Sequence, residues 1–481
     1  MRPLAMGVLL LLAGCAAGPN FHSPAAPDTA RYTPGPQPGS TVSTEVAGGA
    51  AQQFIADADI PAEWWQVYQC KPLDELIRRA LQNSPTVAAA EATLRSASES
   101  YRGQRGALLL PTVDGTASAT REKTSAAAFG LPNFPPSIDN AFTTSAQVTY
   151  KLDLFGGSRR QIEGLRAQAD YQRWELEAAR LTLTGNLVAT AINIASLKAQ
   201  IAAVQDIVAS DREQLAVTEH QFKVGTATHA DVLAQQAQLD QTEATLPVLE
   251  KQLAQAGHLL AVLAGETPDH VELPDLELDA LNLPTELPLS VPARLVRQRP
   301  DVQAAEAQLH QATAQVGVAT ANLFPQLSLT GSIGSDASVS QDLLKAGSGV
   351  WSAGATLTQP IFHGGALRSQ RRAAIDDMDG AAARYQETVL QALQQVADTL
   401  RALEADARDL SAQTAAEQSA RDSLAIARRQ YAAGVNSHTA VLIAERQYQQ
   451  ARQSRVQAQA ARYADTATLF QALGGGWWNR T

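Results

Sequence analysis

A mainly α chain with a membrane β part is the fold class this sequence predicts, with long antiparallel coiled-coil helices and four transmembrane strands per chain. Three observations carry it. Residues 157–224 contain no proline and would form a helix about 100 Å long, along which Leu187, Ile194, Ile201, Val208, Leu215 and Phe222 recur every seven residues, the seam of a left-handed coiled coil. Residues around 111–122, 141–155, 325–335 and 350–362 alternate apolar and polar, the period of a strand with one greasy and one wet face. The unit is also present twice: Phe155 answers to Phe362 at an offset of 207, and Gly225, Val232 and Gly265 answer to Gly434, Val441 and Gly474 at a constant 209.

The amino terminus gives an address. Arg2 precedes the apolar run Val8 to Leu12, too short to span a bilayer, and Leu12-Ala13-Gly14-Cys15 has the form of a bacterial lipobox. Residues 1–14 are therefore expected to be removed and Cys15 to carry lipid; a signal peptide that merely contains a cysteine is the alternative. Ala16 is not the aspartate associated with retention in the inner membrane. Cys70 is then the one other cysteine, so no intrachain disulfide framework exists, and it is expected to pack near Trp64-Trp65. Residues 15–62, rich in Pro, Gly, Ala and Thr, read as an extended tether.

The first repeat spans 63–266. Leu73, Leu76, Ile77, Ala80 and Leu81 have helical spacing and place a helix over 74–106, interrupted at Pro85. The strands near 111–122 and 141–155 lead into the long helix over 157–224, which stops at Gly225. Val232, Leu239, Leu246, Leu253 and Leu260 resume the seven-residue step over 228–265, so this helix folds back along the first. A proline-rich linker over 267–292 joins the second repeat at 293–474, with helices over 293–321, 365–433 and 437–473 and strands over 325–335 and 350–362. Residues 475–481 form a tail. Four strands cannot close around water; two chains would give eight, filled by side chains, whereas three give twelve and leave room for a channel. A soluble sandwich with its apolar faces packed together is the competing arrangement of the same strands.

Composition narrows function. The formal charge is −10 and no basic run is present, which argues against nucleic acid as a partner. No Cys pair at metal spacing, H-E-x-x-H, phosphate-binding G-K-[ST] loop or G-x-S-x-G elbow occurs, so neither an enzyme, a metal site nor a cofactor is expected.

The residues resemble one known family over nearly the whole mature chain, the TolC-like outer membrane efflux proteins in their lipoprotein branch. The resemblance rests on Cys15 followed by Gly18-Pro19-Asn20-Phe21, Trp64-Trp65, Leu110-Pro111 and Phe324-Pro325, Phe155-Gly156-Gly157 and Phe362-His363-Gly364-Gly365. Phe222-Lys223-Val224-Gly225, Tyr431-Ala432-Ala433-Gly434 and Leu473-Gly474-Gly475-Gly476-Trp477 add to it. It implies a homotrimer whose twelve strands cross the outer membrane and whose helical rods form a periplasmic tunnel. Its implied partners are outer-membrane lipid, a periplasmic adaptor (membrane fusion protein) and an inner-membrane pump of the resistance–nodulation–division type. The duct would expel drugs or other small molecules passively. An exit duct for type I protein secretion is a second reading, and a non-porous structural envelope lipoprotein is a reading from a different class.

The resemblance also implies a gate at the hairpin tips beyond the turn glycines Gly225 and Gly434. In the family an aspartate after the first glycine is tied to a tyrosine before the second and to an arginine after it; here these positions hold Asp231, Tyr431 and Asn436. Asn436 cannot form the charge-assisted pair, which weakens the tie by about 1 kcal/mol. Positions that are acidic in some relatives are Ala440 and Ile443, pointing to an apolar constriction. Asp231 as a simple helix cap is the alternative. His229 and His438 occupy equivalent places four residues beyond the glycines, where titration could alter the entrance, or where they are turn histidines without a role.

Overall fold

The computed structural model describes residues 16–29, 31–35, 39–125, 136–269 and 275–480. Along the chain come β1 (Gln53–Ala56), α1 (Lys71–Asn83), α2 (Pro85–Leu109), β2 (Thr112–Thr124), β3 (Ser137–Leu152), α3 (Gly157–Lys223), α4 (His229–Glu243) and α5 (Leu246–Ala264). The second repeat follows as β4 (Glu286–Leu289), α6 (Pro292–Gln298), α7 (Pro300–Ala321), β5 (Gln326–Ala337), β6 (Gly349–Thr358), α8 (Ala366–Ala432) and α9 (His438–Ala472). Two compact units are interleaved in sequence. One comprises Thr93–Arg173, Ala304–Gln386 and the described part of Met1–Pro24; the other comprises Ala25–Ala92, Trp174–Gln303 and Glu387–Thr481.

Proline sets the helix breaks. Ser84 and Arg299 are extended, with ψ of 120° and 122°, because the ring of a following proline clashes with an α-helical residue before it. Each therefore divides a helix pair at the same place in its repeat. The single helix expected over 228–265 is also two: Pro247 has no N–H for the carbonyl of Glu243, so α4 ends there, and at the break Thr245 Oγ1 donates to Thr242 O at 2.7 Å. Its counterpart α9 has no proline and runs unbroken for 35 residues.

In the first unit the strands form one antiparallel sheet in the order β2-β3-β5-β6. Thr112 faces Thr149, Leu152 faces Leu327 and Gln326 faces Thr358 at one end of the sheet. Both outer strands have a free edge, and β6 is exposed at every residue. Val113, Ile333, Trp351 and Leu357 are all more than 60% exposed, so among the described residues no second sheet covers the apolar face as a sandwich would require. β3 stops at Leu152, short of the expected 155, because Asp153 turns to cap α3, accepting from the N–H of Ser158 at 3.1 Å and of Arg159 at 2.9 Å. β6 stops at Thr358, short of 362, since Pro360 cannot donate to a ladder.

Residues 16–24 lie in a slot on this unit. Ala17 N–H donates to Phe155 O at 2.8 Å, and Arg160 donates to Ala17 O at 3.2 Å and to Asn20 Oδ1 at 2.6 Å. Phe21 stacks on His310, which is bonded to Glu163 at 2.9 Å. A Cβ on Gly156 would stand 2.7 Å from Ala16 Cα, so only glycine lets the segment in.

In the second unit residues 41–62 of the expected tether are packed rather than extended in solvent. Thr41 N–H donates to Gln52 O at 2.9 Å, β1 pairs in parallel with β4, and Gln52 Nε2 reaches Pro284 O and Thr466 Oγ1. Arg462, fully buried, donates to Gly48 O, Ala50 O and Thr41 Oγ1. Tyr68 and Tyr463 close the floor, and Trp64 stacks on Phe470 with centroids 5.6 Å apart. The tail is held by Trp477, whose indole donates to Gln298 O at 2.7 Å and packs edge-on to Trp174. Cys70 is a free, half-buried thiol whose pKa burial raises.

Candidate functional site

The tips are built by two turns of one design. At Gly225 and Gly434 the backbone takes φ of 80° and 71°, left-handed values that let a helix end and the chain reverse. Thr226 N–H then donates to Gln221 O at 2.8 Å, and Val435 N–H to Gln430 O at 2.9 Å. The return helices begin differently. Thr228 and Asp231 form a reciprocal cap: the Asp231 carboxylate accepts from Thr228 N–H at 2.9 Å and Thr228 Oγ1 at 2.7 Å, while Asp231 N–H donates to Thr228 Oγ1. In the second repeat Ala440 stands where Asp231 does, and Ser437 makes no side-chain cap.

Asp231 thus caps α4. Hydrogen bonds from Thr228 hold its carboxyl below the usual range, so it is ionised at neutral pH. Tyr431 does not bond to it within the chain. Its hydroxyl donates instead to Gln221 Oε1 at 2.9 Å, linking α8 to α3, and burial, reinforced by Asp231 nearby, pushes its pKa up. Asn436 stays in its own turn, accepting from Ser437 N–H and donating to Gln430 Oε1 at 3.3 Å. Ile443 is 52% exposed, Ala440 is half-buried, His229 is exposed and His438 is buried. Cys15 lies outside the described residues.

Sequence reasoning did not find Gln221, nor the polar network above the tips. The apolar seam of α3 is buried at Leu187, Ile194 and Val208, but Leu215 is half-buried and Phe222 exposed. A straight helix drifts against a seven-residue repeat, and toward the tip the buried face carries Asp211 and Thr218 instead. Asp211 accepts from Thr242 Oγ1 at 2.9 Å; Glu445 accepts from Arg428 at 2.9 Å, and its second oxygen has no partner. Burial raises the pKa of both carboxyls. They line a cavity of about 90 Å³ with Ser210, Tyr448 and Arg452. Among the described residues no group of three or more His, Cys, Asp or Glu is placed to hold a metal ion.

The arrangement is two hairpin tips, the first stiffened by the Thr228–Asp231 cap and the two linked by the Tyr431–Gln221 tie, with Val224 and Val435 exposed near their ends. The family model described as outer membrane efflux protein matches residues 76–266 and 291–475. The solvent efflux pump outer membrane protein SrpC of Pseudomonas putida is 30% identical over 485 residues, covering 99% of this chain and 98% of that protein. The pyoverdine export outer membrane protein OpmQ of Pseudomonas aeruginosa is 30% identical over 430 residues, covering 88% of this chain and 89% of that one. Among solved structures, the outer-membrane channel OprN superposes with a TM-score of 0.85 at 26% identity, over 96% of this chain and 100% of that one. The open state of the Neisseria gonorrhoeae MtrE outer membrane channel superposes with a TM-score of 0.81 at 25% identity, over 96% and 99%.

Proposed function

The chain belongs to the outer membrane efflux protein family, and from that premise we propose that three copies form one channel, the passive exit duct of a tripartite efflux pump. One observation carries the assembly. Within the chain Phe155, at the end of β3, stacks on Phe324, which precedes β5, with centroids 4.8 Å apart. The equivalent pair in the duplicated unit is Phe362 after β6 and Leu110 before β2, and these are 85% and 63% exposed, beside Ile361 at 94%. The strands tell the same story: β3 pairs with β5, whereas the outward edges of β6 and β2 are open. A second copy supplies what the internal duplication supplies once, and three copies close a ring of twelve strands wide enough for water.

In this reading a periplasmic adaptor and an inner-membrane pump of the resistance–nodulation–division type deliver cargo at the hairpin tips. The relatives named for solvent and pyoverdine favour small molecules over secreted protein. Purified protein in planar bilayers should give discrete conductance steps; an intact assembly that gives none would leave the structural lipoprotein. The resting gate is tested in the same bilayers. Asp231→Ala, which removes the cap, and Tyr431→Phe, which removes the tie to Gln221, should each raise resting conductance severalfold, and wild-type values in both variants would exclude these residues from the gate.

Cys15 is the lipid attachment site in this proposal. The seating of Ala16 and Ala17 beside Phe155 and Gly156 would hold the acyl chains near the foot of the strands. Mass spectrometry of the mature protein should show a diacylglyceryl-modified amino terminus that Cys15→Ser abolishes, with the variant still membrane-bound. An unmodified wild-type terminus would end the idea.

A further inference from the structure

The duplication puts a histidine at the first helical position after each tip, and the structure treats the two differently. His229 is exposed, its ring packed against Phe222 at 5.5 Å between centroids. His438 is 3% exposed, its ring lies 5.2 Å from that of Tyr431, and neither Nδ1 nor Nε2 has a hydrogen-bond partner. Tyr431 itself packs on the apolar cluster of Leu424, Ala427, Val441 and Ala444, which joins the end of α8 to the start of α9. Because a neutral imidazole keeps one N–H and one lone pair, both of its polar atoms go unsatisfied at this spot.

Protonating such a ring creates a second donor and a full charge where no acceptor stands. The groups that face it are few. From α4 the ionised Asp231 lies within electrostatic range, but its carboxylate is engaged by Thr228; from α8 comes the hydroxyl-bearing ring of Tyr431, uncharged at any physiological pH. We propose that His438 is a proton-operated release for the tip of the second hairpin: taking up a proton, it leaves its packed site for water, loosens the contact with Tyr431 and favours the open entrance. The proposal rests on the reading of the chain as a channel closed at its tips, and it separates the two histidines, giving His229 no part.

The sign follows from linkage. Burial lowers the proton affinity of His438 from the ordinary value of 6.5, outweighing the attraction of Asp231. In an opened tip the ring is solvated and titrates near its usual value. The packed form is therefore fully favoured above that pH and loses ground as the pH falls, by up to roughly tenfold per copy one unit below it.

Hydrogen exchange of the full-length protein at pH 7.5 and 5.5, corrected for intrinsic rates, tests this alongside conductance. In the wild type and in His229→Gln, amides over 428–445 should exchange several times faster at the lower pH, with resting conductance rising in step. His438→Phe, which keeps the ring without the nitrogens, and His438→Gln, which is neutral throughout, should abolish the acid response. An acid response that survives in both His438 variants, or one absent from the wild type, overturns the proposal. Exchange that follows the prediction in protein that never conducts would uphold the release and count instead against the channel.

Discussion

Replacing Ile361 and Phe362 together by aspartate should leave the protein monomeric in detergent, where the wild type runs as a trimer by light scattering or native mass spectrometry. Each side chain is almost fully exposed in a single copy, at 94% and 85%, and would contribute about 2 kcal/mol or more when covered by a neighbour. The introduced charges must in addition be desolvated for the seam to close. A closed ring of three has three identical seams, so the loss counts three times and the trimer is disfavoured by many orders of magnitude. Fold within one chain should persist, since Phe155 and Phe324 keep their own stack. Phe362→Leu keeps the apolar bulk and should still assemble. A double aspartate variant that remains trimeric would show that this patch is not the seam.

Arg462→Ala should cause a large loss of stability in the second unit, roughly 2–4 kcal/mol, through three lost charge-assisted hydrogen bonds. Its guanidinium is 0% exposed, and its donors hold Gly48 O at 2.9 Å, Ala50 O at 2.6 Å and Thr41 Oγ1 at 3.0 Å. Truncation takes the charged donor from the carbonyls of Gly48 and Ala50, leaves Thr41 Oγ1 with the Gln52 N–H alone, and removes the cation beside Asp406. That carboxyl is already pushed up to about 7, by burial first and then by Asp465. Arg462→Lys should recover little, because a point charge cannot reach three acceptors as the planar fork does. Thermal unfolding and proteolysis over 41–52 read the effect; a melting temperature unchanged by Arg462→Ala would refute it. Asp406 adds its own pH dependence. With its folded pKa above the unfolded value, the folded state binds the extra proton between about 4 and 7, so stability falls as pH rises through that window and Asp406→Asn should remove this slope.

Much of this protein was written locally in its sequence. The seven-residue seam of Leu187 to Phe222, the alternation through Tyr150 and Leu357, the glycines at 225 and 434 and the offset between repeats are each properties of a short window or of two windows compared. They announce helix, strand, turn and duplication because helix and strand periods differ and because left-handed turn positions favour glycine. What needed the tertiary structure was whatever depends on a neighbour distant in sequence. Residues 39–56 read as a tether because their composition cannot build a core of its own; Arg462 and β4, far along the chain, give them one. The resemblance ties Tyr431 to Asp231, whereas within the chain its hydroxyl donates to Gln221, since which face of α3 meets α8 depends on helix drift over dozens of residues. His229 and His438 are indistinguishable as letters in a repeated motif. Only packing decides that one meets water and the other a tyrosine and no hydrogen-bond partner, because burial belongs to the assembled surface around a residue and not to the residue.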